Sequence, residues 1–156
     1  MSRSVLFICT GNIFRSMTAE YALRRHVGEG GFITASAGTA HRPELEVRAD
    51  VAAYLQTHGL DVSAHRRRTL DSKIMADHDV VIAMNSDHQR IMADRFERHV
   101  PVFLEAATGT AQDMPDVDDL FAPEDHLSPP ALQHVRDTID RIIAETPALA
   151  RRLPGL

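Results

Sequence analysis

The chain has 156 residues, 44% apolar and 25% charged, with a formal net charge of −5; that length predicts one domain, 1–156, with an ordinary buried core. The acidic balance offers no field for nucleic acid or an anionic membrane, and the first apolar run is too short for a leader or a membrane span. A single cysteine excludes an internal disulfide and argues against a cysteine-based zinc site, so the expectation is a cytoplasmic protein with neither nucleic acid nor membrane as partner.

In chain order, Val5-Leu6-Phe7-Ile8 is continuous and apolar, the pattern of a strand buried on both faces. Ala19, Ala22, Leu23 and Val27 have helical spacing, ending at Gly28. Ile33 to Ala35 predicts a short second strand. Val47, Val51, Tyr54 and Leu55 predict a helix closed by His58-Gly59, with Gly59 just past its end. Leu70 to Ala76 predicts a short helix, and Asp79 to Met84 a third buried strand. A helix follows from about Ser86 to Phe96, and Val100 to Leu104 predicts a fourth strand. Thr108 to Pro130 is polar and turn-rich and predicts one long loop. Ser128 caps a final helix with Pro129 and Pro130 in its first turn and Leu132, Val135, Ile139 and Ile142 as its core face. Strands alternating with helices predict an α/β fold: a four-stranded parallel sheet with helices on both faces. In such folds ligands bind beyond the carboxyl ends of the strands.

The first strand delivers the chain to Cys9-Thr10-Gly11-Asn12-Ile13-Phe14-Arg15-Ser16. Cys9 and Arg15 bracket five residues, a spacing that suits a closed loop whose backbone N–H groups turn inward around a tetrahedral anion. Gly11 and Asn12 are the types that tolerate positive φ in so tight a loop. The helix after Ser16 adds the partial positive charge of its N-terminus. A thiol in that setting beside a guanidinium is favoured as thiolate, the nucleophilic form. Arg15 has a planar fork that holds two phosphate oxygens at once. The combination describes a phosphoryl site beside a nucleophile.

These residues resemble the signature of the low-molecular-weight protein tyrosine phosphatases, which runs Cys, any residue, Gly, Asn, any residue, Cys, Arg, Ser, Pro. The match falls at Cys9, Gly11, Asn12, Arg15 and Ser16. The resemblance continues at Ser36-Ala37-Gly38-Thr39, at Gly59 to His65, at Asp79 to Met84 and at Met114-Pro115-Asp116. It implies a three-layer, flavodoxin-like fold and a phosphocysteine intermediate. Cys9 would be the nucleophile, and Arg15 the cation. The loop groups of Thr10, Gly11, Asn12, Ile13, Phe14 and Ser16 would bind substrate. Asn12, Ser16, Ser36 and His65 would hydrogen-bond beneath the loop. Asp116 is the implied general acid, with Asp118 and Asp119 as rivals in the same acidic stretch. The partner implied is a tyrosine-phosphorylated protein, a bacterial tyrosine kinase among the candidates. The chemistry calls for no metal and no cofactor.

The chain departs from the pattern at Phe14, where the second cysteine stands, at Met17 for proline, and at Val117 for the proline after the acid. It has no Trp, and Asp118-Asp119-Leu120-Phe121 replaces a tyrosine-rich stretch. Ile13 favours phosphotyrosine, since family members acting on phosphoarginine carry threonine there. Arsenate reduction on the same fold shuttles a disulfide, which one cysteine cannot form internally. A protein arginine phosphatase and a weakly active phosphate-binding module remain as alternatives. His41 and Arg42 fall near the mouth of the implied cleft, and Arg66, Arg67 and Arg68 read as a solvated face.

Overall fold

The computed structural model describes residues 3–156. Three parallel strands, β1 (Ser4–Cys9), β2 (Ile33–Gly38) and β3 (Val80–Ala83), form a sheet in the order β2-β1-β3. The central strand runs in register from Ser4 opposite Ile33 to Cys9 opposite Gly38, and from Val5 opposite Val80 to Ile8 opposite Ala83. Its side chains alternate between two cores. Val5, Phe7 and Cys9 face helices α1 (Arg15–Val27), α5 (Phe103–Thr108) and α7 (Pro129–Arg152). Leu6 and Ile8 face the opposite side, with Met75 of α3 (Ser72–Ala76) and Met92 of α4 (Ser86–Phe96). A third cluster joins α1 and α7 to Val51 and Leu55 of α2 (Ala49–Thr57). Helices therefore cover both faces, and the carboxyl end of the central strand opens directly into the Cys9 loop.

The local signals act as their chemistry dictates. Gly59 follows α2 with φ 74°, and the Leu60 and Gly59 N–H groups return to the carbonyls of Leu55 and Gln56, a Schellman closure. Ser128 caps α7 by accepting the Ala131 N–H at 3.4 Å. The core face of α7 is Ala131, Val135, Thr138, Ile139, Ile142, Thr146 and Leu149; Leu132 sits at its rim.

The predicted fourth strand over Val100–Leu104 does not form. Val102 makes one parallel bridge to Ala83, and Phe103 already begins α5. Pro101 accepts the Ala83 N–H at 3.0 Å but has no N–H to extend a ladder. Leu104, Glu105, Ala106 and Ala107 are strong helix formers, and α5 buries Phe103, Leu104, Ala106 and Ala107. The sheet is three-stranded. Likewise Thr108–Pro130 is not one loop: it carries a one-turn helix, α6 (Val117–Leu120), and a 3₁₀ turn at Pro123–Asp125.

Candidate active site

Helix α1 begins at Arg15 with no side chain capping it. Its first N–H groups have no partner within the helix, and they open onto the loop where an anion would be held. Asn12 has φ 58° and is fully buried. Gly11 is not in the left-handed region, contrary to expectation; a Cβ there would meet Leu45 at 3.3 Å and Ile13 at 3.4 Å. The glycine that the loop geometry needs most is Gly38. A Cβ at that position would stand 2.6 Å from the Thr10 carbonyl oxygen, so β2 approaches the loop only because none is present.

Cys9 lies on the cleft floor at 2% exposure. Ser16 Oγ is 2.9 Å from its sulfur, and the Asn12 N–H reaches the sulfur at 3.3 Å. Asn12 Nδ2 donates to Ser16 Oγ at 3.0 Å and to Ser36 Oγ at 2.8 Å. Ser16 accepts that bond, so its own proton is free for the sulfur. Ser36 passes its proton to Glu20 Oε1 at 2.6 Å, and Glu20 pairs with Arg24. His65 Nε2 donates to the Asn12 carbonyl at 2.8 Å, and the Arg68 N–H reaches Asn12 Oδ1 at 3.1 Å. Asn12, Ser16, Ser36 and His65 thus form one network beneath the loop, ending on buried Glu20, whose partner Arg24 is exposed.

Arg15 is 2% exposed. Its Nη1 donates to the Met114 carbonyl at 2.9 Å, and its Nη2 stands 3.4 Å from Asp116 Oδ2. Its Nε is buried with no protein partner. Nε thus meets no protein group while Nη2 is engaged by Asp116, and two oxygens of one anion at the Nε–Nη2 edge would compete with that contact. The cleft has a volume of about 110 Å³ and is lined by Cys9 to Arg15 together with Ala40, Arg42, Leu45, Asp116 and Asp118. A groove of about 750 Å³ adjoins it, sharing Ile13 and Leu45.

Asp116 ends the segment before α6. Its Oδ1 accepts the Val117 N–H at 2.7 Å, and its own N–H donates to Asp119 Oδ2 at 2.8 Å. Of the two rivals, Asp119 accepts that bond and is absent from the cleft lining, while Asp118 lines the cleft together with Asp116. The segment is tied down without a proline at Val117. Asp113 accepts two bonds from Ser86 at 2.8 Å, Asn85 Oδ1 accepts the Met114 N–H at 2.8 Å, and His134 donates to the Pro115 carbonyl at 2.7 Å. Phe14, Met17 and Val117, the three departures from the sequence pattern, are all buried in one apolar cluster.

Arg67, half-buried, corrects the reading of a solvated face, while Arg66 and Arg68 are exposed as expected. Arg67 donates to the carbonyls of Gly11 at 2.9 Å and Ala40 at 2.8 Å, and Arg68 Nε donates to that of Ser36 at 3.0 Å. With His65 on the Asn12 carbonyl and the Ala40 N–H on that of Thr10, three successive loop oxygens are engaged by other segments of the chain. Arg66 bonds only to nearby carbonyls, and His41 is exposed. Residues absent from the sequence reading are Glu20, Asn85 and His88, and Arg67 and Arg68 enter it only as surface charge. Nothing in their spacing marks them, because each reaches the site through the fold.

A buried cysteine with two donors at its sulfur, an arginine with an unpartnered Nε and a nearby carboxylate come together in one cleft. A family model described as low molecular weight phosphotyrosine protein phosphatase matches residues 4–153, and the chain belongs to that family. It is 36% identical over 88 residues to the low molecular weight protein-tyrosine-phosphatase Etp of Escherichia coli K12, covering 54% of this chain and 56% of Etp. It is 27% identical over 94 residues to the phosphatase Wzb of Salmonella typhi, covering 60% of this chain and 62% of Wzb. The alignments thus span less than two thirds of these relatives. Among solved structures, a YwlE mutant from Bacillus subtilis superposes with TM-score 0.81 at 24% identity, over 98% of this chain and 99% of that one. The YwlE arginine phosphatase from Geobacillus stearothermophilus gives 0.80 at 24%, over 98% and 94%. These superpositions show the shared fold.

Proposed function

We propose that the chain, as a single domain over 1–156, hydrolyses phosphotyrosine in proteins through a phosphocysteine intermediate. The observation that carries this reading is the pairing in one cleft of a Cys9 sulfur held by Ser16 Oγ and the Asn12 N–H with an Arg15 guanidinium whose Nε has no protein partner. Substrate phosphoryl oxygens bind to that guanidinium and to the loop N–H groups of Thr10 to Ser16. The Cys9 sulfur attacks phosphorus, an S–P bond forms, and the P–O bond to the tyrosyl oxygen breaks. Asp116, at 3.4 Å from Arg15, gives its proton to the leaving oxygen. It then takes a proton from water, whose oxygen attacks phosphorus. The S–P bond breaks, phosphate leaves and the thiolate returns. Ser16 and the Asn12 N–H hold the charge on sulfur, and Glu20, Ser36 and His65 hold Asn12.

The narrow cleft with Cys9 on its floor suits a long aryl phosphate better than phosphoserine, whose phosphate lies close to its backbone. Ile13 supplies an apolar wall. A second reading, protein arginine phosphatase, is favoured by Asp118, which with Asp116 lines the cleft where a guanidinium would pass. The proposed partner is a tyrosine-phosphorylated protein, a tyrosine kinase among the candidates, and the proposed location is the cytoplasm. Among the described residues no helix is long and apolar enough to cross a membrane. The test is release of para-nitrophenol from its phosphate ester, then competition between phosphotyrosine and phosphoarginine peptides. Saturable release with phosphotyrosine preferred supports the reading. Phosphate binding without release makes the chain a binding module.

A further inference from the structure

His88 is fully buried beside the cleft and takes no part in the steps above. It belongs to a closed circuit of hydrogen bonds. Arg15 Nη1 donates to the Met114 carbonyl at 2.9 Å, and the Met114 N–H donates to Asn85 Oδ1 at 2.8 Å. The Asn85 N–H donates to His88 Nδ1 at 3.1 Å, and His88 Nε2 meets Thr10 Oγ1 at 2.9 Å. Thr10 and Arg15 lie on the same loop, so the circuit runs from the nucleophile loop through α4 to the acid segment and back.

The chemistry of the ring is fixed by its partners. A nitrogen that accepts an N–H carries no proton, so Nδ1 is bare and Nε2 holds the hydrogen. Nε2 therefore donates to Thr10, and the Thr10 hydroxyl keeps its own proton free for the cleft that it lines. A charged ring would set its Nδ1 proton against the Asn85 N–H. Burial first, and then Arg15, push the imidazole down to about 4, against the opposing pull of Asp87, Asp116 and Asp119.

We infer that His88 is a positioning residue: as the neutral Nε2–H tautomer it sets the acid segment relative to the nucleophile loop and aims the Thr10 hydroxyl into the cleft. The inference rests on the phosphatase reading and names a part of its machinery that touches no substrate. The link joins residues 78 apart in sequence through one ring; its loss leaves the ties of Asp113, Met114 and Pro115 in place but lets Asn85, and with it Asp116, shift slightly relative to the loop. The defect should then grow as the leaving group needs its proton more.

The experiment compares wild type, His88→Asn and His88→Gln on para-nitrophenyl phosphate and phenyl phosphate. Asn keeps an acceptor for the Asn85 N–H but is too short for Thr10; Gln is long enough to donate to Thr10. His88→Asn should lower kcat on phenyl phosphate about 10- to 100-fold, the scale of a small misplacement of a catalytic group, with a much smaller loss on para-nitrophenyl phosphate. His88→Gln should recover part of the difference. The ¹⁵N spectrum of wild-type histidine side chains should show one ring protonated at Nε2 alone from neutral pH to about pH 5.5, about a unit below an ordinary histidine. Equal losses on both esters in folded variants would overturn the inference, as would no loss. So would an Nδ1-protonated or charged His88 at neutral pH, a result that stands even if the variants do not fold. A wild type inert toward both esters overturns the phosphatase reading itself, and the spectrum then judges the His88–Thr10 link alone.

Discussion

Replacing Asn12 should be costly for stability, and the cost can be worked out bond by bond. Its side chain makes three buried hydrogen bonds, to Ser16 Oγ, Ser36 Oγ and the Arg68 N–H. Each contributes about 1 kcal/mol net. Its φ of 58° costs any residue with a Cβ about 1–2 kcal/mol, a cost common to Asn and Ala and relieved only in Gly. Asn12→Ala should therefore lose about 3 kcal/mol, or roughly 6–12 °C in Tm for a chain of this size. Asn12→Gly loses the same three bonds but accepts the dihedral, less some added unfolded-state entropy. It should recover roughly 0.5–1 kcal/mol of the deficit on the same grounds. Guanidinium titrations of the three proteins, fitted with a shared slope, measure the difference. An alanine variant within about 1 kcal/mol of wild type, the worth of a single bond, would refute the reasoning. A glycine variant less stable than the alanine one would refute the backbone part.

Further outcomes follow from the site. Asp116→Ala should slow phosphotyrosine hydrolysis by roughly 10²–10⁴-fold, the usual share of proton transfer, and by much less for para-nitrophenyl phosphate; if Asp118→Ala shows that pattern instead, the acid is misplaced. Ile13→Thr should narrow the ratio of phosphotyrosine to phosphoarginine turnover, measured with paired peptides, and an unchanged ratio would remove Ile13 from specificity. Acid stability should carry a His88 component. With its imidazole at about 4 when folded and 6.5 when not, the unfolded chain takes up that proton first. This contribution is flat above pH 6.5, and stability falls as pH drops from 6.5 toward 4, by at most about 1.4 kcal/mol per pH unit. His88→Gln should titrate less steeply across that window, and parallel curves would contradict the assignment.

The features legible in sequence are local ones. The Val5–Ile8 run, the Cys9–Arg15 spacing and the helix after Ser16 form a contiguous strand–loop–helix, so pattern and chemistry coincide. Ser128 and Gly59 likewise act on their own neighbourhoods. The misreadings come from competition between levels. Val100–Leu104 has strand-like side chains, but Pro101 withholds the N–H a ladder needs, and Phe103 to Ala107 gain more by burying as a helix. Arg67 reads as surface charge until the fold brings it to the Gly11 carbonyl, 56 positions away in sequence. His88 is hidden for the same reason, since its partner Thr10 lies beyond two strands and several helices. Phe14, Met17 and Val117 look like separate lapses from a pattern, yet all three are buried in one apolar cluster.

The central claim is that phosphorus passes through Cys9. Mixing the enzyme with a phosphotyrosine peptide, quenching in acid within milliseconds and mapping the digest by mass spectrometry tests it directly. The account predicts one added phosphoryl group on the peptide that contains Cys9, absent in Cys9→Ser, which should still bind vanadate but release no phosphate. Phosphotyrosine turnover by folded Cys9→Ser, or a phosphoryl group trapped on any other residue, would contradict it.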